Sequence, residues 1–174
     1  MFLKRIAPAV AVIALMSAVT FAQGAKPTDP QIAHIAYTAG VLDITAAQQA
    51  LKKTQNAEVR GFAENMIKDH EAVNKLALDL VGKLKVTPED NDTSKGLTKA
   101  AEAKRAELEK LSGVAFDKAY IANEVAYHKT VNGAVDKTLI PSSQNAELKA
   151  LLQKGLKIFQ GHEQHAAMIA AKLK

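Results

Sequence analysis

The 174-residue chain contains no cysteine and no tryptophan, and only eight aromatic residues in all. Without cysteine there is no disulfide and no thiolate metal ligand, and no thioether-linked lipid at the amino terminus. Stability has to come from packing, and any metal would be held by nitrogen and oxygen donors. After the first two dozen residues, β-branched runs and alternating apolar–polar stretches are scarce, while Ala, Lys, Leu and Glu are abundant. Strand architectures lose their support and helix is the only regular structure the pattern predicts. There is no glycine-rich phosphate loop after a strand and no serine in a nucleophile turn, so the common catalytic motifs are absent.

What is present begins with Lys4 and Arg5, followed by an apolar run from Ile6 to Phe21 that ends on Ala22. A charged start, a short apolar stretch and a small residue predict a secretory signal peptide over residues 1–22. The run is shorter than the about 20 residues that span a bilayer, so no transmembrane anchor is expected after cleavage. The remainder, residues 23–174, is one domain's length. Loss of Lys4 and Arg5 leaves 21 basic residues against 18 acidic ones, a net charge of +3 rather than +5. That small excess gives no support to nucleic-acid binding. Lys52 with Lys53 and Lys104 with Arg105 read as solvated helix faces, with peripheral envelope association the weak alternative. The expected location is periplasmic or secreted.

Five helices are predicted, near Thr28–Thr54, Asn56–Lys85, Leu97–Leu111, Val114–Leu139 and Asn145–Leu173. Thr28 or Asp29 and Asn56 supply caps, and breaks fall at Thr87–Asp92, Ser112–Gly113 and Ile140–Ser143. The second helix carries Val59, Ala63, Met66, His70, Val73, Ala77, Leu80 and Leu84 at steps of three and four. The last repeats this with Leu148, Leu152, Gly155, Phe159, His162, Ala166, Ile169 and Leu173. Such stripes pack against neighbouring helices. The piece between the second and fourth helices is too long for a turn and has its own stripe of Leu97, Ala101, Leu108 and Leu111. A short helical crossover between the second and third long helices predicts a ferritin-like four-helix bundle, all-α. In that topology the segments bearing His70 and His128 run parallel, and the two imidazoles fall at similar depth.

Polar residues interrupt the inward stripes: Asp43 in the first helix, His70 in the second, Asp117, Glu124 and His128 in the fourth, and His162 in the last. Asp117, Glu124 and His128 lie within about 40° of one another at roughly 100° per residue, with Tyr120 at the margin. Buried charge is costly unless paired or metal-bound. Two readings fit. In one, the imidazoles and carboxylates hold a divalent metal such as Fe, Mn or Zn, with His70, His128, His162, Glu124 and Asp43 as ligands and Asp117 and Tyr120 behind them orienting an imidazole. In the other, each histidine is bonded to a carboxylate or tyrosine and fixes helix register. A full di-iron centre is disfavoured, because that pattern needs Glu-x-x-His twice and neither His70 nor His162 has a Glu three residues earlier. His165, three residues after His162 and two after Glu163, reads as a solvated face, with a surface metal site the weaker alternative, and His34 has the same standing.

The string Met66-x-x-Asp69-His70, within Phe62–His70, and the string Phe116-Asp117-x-x-Tyr120, within Ser112–Tyr120, resemble the bacterial domain-of-unknown-function 4142 family. With Asp43, His128 and His162, the resemblance runs from about Asp29 to Leu173. It implies a ferritin-like fold, export, and candidate positions without an agreed activity. Members are often labelled outer membrane proteins, yet a sequence patterned as helix throughout does not fit a barrel. Where members often carry Glu in the first helix, Asp43 draws the oxygen back by about one methylene. The functional expectation is an exported metal-binding bundle, or else a non-catalytic envelope or stress-related interaction protein.

Overall fold

A computed structural model describes residues 26–173, and among these the fold is all-helical. The expected signal peptide lies outside the described residues. Helix α1 spans Asp29–Lys53, α2 Ala57–Leu84, α3 Asp92–Glu109, α4 Gly113–Ala134, α5 Ile140–Ser142 and α6 Ala146–Lys172, with a π-helical turn, Val135–Leu139, between α4 and α5. No helix among the described residues is long and apolar enough to cross a membrane.

Local chemistry sets these ends. Thr28 and Gln31 form a reciprocal capping box at α1, with Pro30 in the first turn where its missing N–H costs nothing. Asn56 and Asn145 each accept two backbone N–H bonds at the starts of α2 and α6. Gly113 opens α4 with φ at +55°, a conformation that disfavours any residue with a Cβ. The crossover helix starts at Asp92, five residues before the predicted Leu97, because Asn91 caps it reciprocally with Ser94. The turn-forming polar residues before Leu97 are thus also a helix start.

Packing is antiparallel between sequence neighbours and across the fold. Three residues join α1 to α2. Lys172 at the end of α6 pairs with Glu58 at the start of α2 at 2.6 Å, and Lys83 near the end of α2 pairs with Glu147 at the start of α6, also at 2.6 Å. The Asp29 carboxylate accepts the N–H groups of Gln144 and Asn145 and the hydroxyl of Ser143, which puts the start of α1 beside the start of α6. Lys53, at the end of α1, lies over the Phe116 ring at the start of α4. Helices α2 and α4 therefore run the same way, opposite to α1 and α6. Helix α3 lies along α1, where Gln49 and Lys53 bond to Glu109.

Two apolar clusters result. One gathers Phe62, Met66, Phe116, Tyr120, Ile121, Leu108 and Ile169, and the other Ile32, Ile35, Leu97, Val135, Leu139, Leu148 and Leu152. On α1, α4 and α6 the change from one cluster to the other falls at Asp43, at Glu124 and His128, and at His162. On α2, residues up to Met66 belong to the first cluster and His70 follows. A buried polar layer separates the two cores.

Candidate metal centre

Each of α1, α2, α4 and α6 contributes to this layer. Asp43, His70, Glu124, His128 and His162 are all buried, with Glu124 and His128 only 1 % exposed. His70, His128 and His162 each place one ligand-capable atom within 4.8 Å of the others, and Asp43, Glu124 and His128 do the same. His128 belongs to both groups. The parallel course of α2 and α4 brings the His70 and His128 rings to 5.9 Å, centroid to centroid, and His162 lies 5.3 and 5.5 Å from them.

The hydrogen bonding selects which atoms face the centre. His128 Nδ1 lies 2.9 Å from the Glu124 carbonyl oxygen, which can only accept, so the proton sits on Nδ1 and Nε2 is left with its lone pair. His162 Nε2 lies 3.0 Å from Asp69 Oδ2. The other nitrogens of these rings, His128 Nε2 and His162 Nδ1, are buried without a hydrogen-bond partner among the described residues, as are both nitrogens of His70 and both carboxyl oxygens of Glu124. Asp43 Oδ2 stands 3.3 Å from His70 Nε2 and 3.8 Å from His128 Nε2. Two donors about 2.1 Å from one tetrahedral ion lie roughly 3.4 Å apart, so these spacings suit a shared cation.

Protonation follows from burial. Desolvation, then the nearby Glu124 charge, hold the Asp43 carboxyl well above its usual range, and desolvation pushes Glu124 up to about 8. Desolvation also lowers His128 to about 4 and lowers His70, the latter with further help from His128 and His162. At neutral pH the Glu124 carboxyl holds its proton and the His70 and His128 rings are neutral. Because the His70 ring is neutral, its approach to Asp43 is not an ion pair. Such a cluster can take up a cation by giving up carboxyl protons.

Phe159 lies flat on His70, with ring centroids 4.5 Å apart and planes 3° from parallel, which fixes the imidazole's tilt. Asp117 and Tyr120 are buried on the same α4 face, but neither hydrogen-bonds an imidazole. Asp117 Oδ1 and the Tyr120 hydroxyl have no hydrogen-bond partner among the described residues. Tyr120 packs between Phe62 and Phe116, and burial above all raises its phenol well above the usual range. The orienting contacts come instead from the Glu124 carbonyl and from Asp69. The sequence did carry a signal for Asp69 in the Met-x-x-Asp-His string. Its target is His162 on another helix, because adjacent residues on α2 point about 100° apart. His165 packs edge-on against Phe62, and His34 sits near Thr38 and Asp90, so neither joins the cluster.

Neither the curated proteins nor the solved structures include a match to this chain. A family model described as "Domain of unknown function (DUF4142)" matches residues 14–169, which include every residue of the buried cluster. By that match, covering most of its length, the chain belongs to the domain-of-unknown-function 4142 family.

Proposed function

We propose that this protein is an exported, ferritin-like four-helix-bundle protein that binds one divalent first-row metal ion at the level of the His70, His128 and His162 rings. The signal-like start, Lys4 and Arg5 before an apolar run, supports export to the periplasm. The up-down-down-up course of α1, α2, α4 and α6, with α3 as crossover, supports the ferritin-like assignment. Asp43, His70, His128 and His162 are the ligands in this reading, and Glu124 adjoins Asp43 as a second carboxyl. Three nitrogens and one oxygen with no thiolate suit zinc, iron or manganese.

The observation that carries the reading is the division of labour within the rings. His128 and His162 each spend one nitrogen on a carbonyl or carboxylate and leave the other buried and unpartnered in the cluster. Metal-bound histidines are held in this way. Histidines that only lock register would have their buried nitrogens satisfied, because an unmade buried hydrogen bond costs about 1–3 kcal/mol. The unpartnered atoms of His70, His128 and Glu124 count against that alternative, and against a purely structural envelope protein.

Two measurements on protein isolated from the periplasm without added metal test the reading. Elemental analysis should find about one metal ion per chain, and a chelator should lower the melting temperature. At a free metal concentration about 1,000 times Kd, binding adds roughly 4 kcal/mol, or about 8–16 °C for a domain of this size. Absence of metal together with no effect of chelator overturns the proposal. Asp69→Asn should weaken metal binding by about 10–100-fold, read by calorimetric titration, because His162 loses its carboxylate acceptor while keeping its place.

A further inference from the structure

Beside the polar layer lies a cavity of about 60 Å³. Its wall is built from small and aliphatic side chains, among them Ala36, Ala39, Ala77, Val131, Leu139 and Leu152, and its only polar lining comes from Asp43, His70, Asn74 and His128. Three of those four belong to the cluster, so the cavity abuts it directly. Empty space in a protein core is rare and lowers stability in proportion to its volume. Here it is lined by alanines of α1, α2 and α4 at the level where the apolar core meets the imidazoles.

The wall also contains the departure from α-helical winding among the described residues. Val135 and Leu139, the ends of the π-helical turn, both line the cavity. Single π turns recur at functional sites, because the extra residue shifts the side chains that follow it.

We propose that this cavity is a dry binding pocket for an uncharged apolar molecule of diatomic size, dioxygen being the abundant example, held against the Asp43, His70 and His128 face of the cluster. Size and chemistry select the class. The volume is well below the roughly 150 Å³ that admits benzene, and away from the Asp43, His70, Asn74 and His128 face the aliphatic wall offers a water none of the two to four polar partners it needs. Charged or strongly polar molecules would lose their hydration without replacement. That the occupant meets a metal ion rests on the metal-binding reading above, whereas occupancy of the pocket does not.

Xenon is the probe. Crystals of the purified protein under xenon pressure, with and without zinc, should show xenon in contact with Ala39, Val131 and Leu139 beside the His128 ring. In solution, xenon saturation should shift the ring resonances of His70 and His128. Ala36→Leu and Ala134→Leu, which fill the pocket from α1 and from α4, should each reduce that response at least fivefold while changing zinc affinity less than threefold. Two variants from different helices guard against one failing to fold. Xenon bound in protein that takes up no metal supports the pocket and removes only the metal-binding reading. Absence of xenon from the cavity, or an undiminished response in both folded variants, overturns the pocket whatever the metal result.

Discussion

Replacing His128 with leucine is expected to abolish metal binding while leaving the metal-free protein as stable as the parent, or more stable. His128 belongs to both ligand groups and approaches Asp43 to within 3.8 Å, so its loss removes a donor that no neighbour replaces. Affinity should fall by more than about 100-fold, beyond the about 10–100-fold typical when only a partner of a ligand is lost. Stability should respond in the other sense. In the metal-free protein the ring's Nε2 is buried without a partner, and desolvation of the cluster opposes folding. An apolar side chain of similar size removes that cost and forfeits only a bond to a carbonyl of its own helix. Calorimetric titration with zinc or manganese and denaturant melts of both proteins read the two effects. A loss of more than about 3 kcal/mol with no change in metal binding would mean that His128 holds the helices in register and does nothing else.

The second large effect is a reversal of pH dependence when metal is added. Glu124 titrates near 8 in the folded chain against about 4.3 when unfolded, so between those values the folded state holds the extra proton and stability falls as pH rises. Asp43 acts in the same direction. His128, near 4 when folded and about 6.5 unfolded, acts oppositely, as does His70, whose pKa is also lowered. There the unfolded state binds the extra proton and stability rises with pH. Below pH 6.5 the two trends offset one another. From 6.5 to 8 the histidines no longer contribute, and metal-free stability should decline by about 2 kcal/mol from Glu124. Metal affinity should climb over the same interval as the carboxyl protons become easier to displace. Melts at several pH values, with chelator and with excess zinc, should therefore diverge. Parallel curves would contradict the assigned protonation states.

Much of this arrangement is legible in the amino-acid order because a helix reports its own buried face. The stripes through His70 and His162, and the alignment of Asp117, Glu124 and His128, follow from 3.6-residue winding, and the long crossover predicts that α2 and α4 run parallel. What periodicity does not carry is the rotation of one helix against the next. Asp69 shows this: its proximity to His70 in sequence conceals a partner on α6. Phe159, one residue of the last helix's inward stripe, is the surface against which His70 stacks. The π-helical turn was hidden for a different reason. Ile140 and Pro141 read as a break, yet the chain stays helical through Ser142. Pro141 has no N–H and its ring crowds the carbonyl four residues back, at Lys137. The N–H of Ile140 bonds to Val135 instead, one residue further than in an α-helix, and the winding widens ahead of the proline. Nothing in composition distinguishes that accommodation from a termination.

Anomalous diffraction from crystals grown with zinc or manganese is the decisive test of a single metal ion bound among His70, His128 and His162. A single strong peak is expected in the polar layer, about 2.0–2.2 Å from an imidazole nitrogen of each of the three histidines and from an oxygen of Asp43. A cluster without a peak, or metal found only at surface groups such as His165, would contradict it.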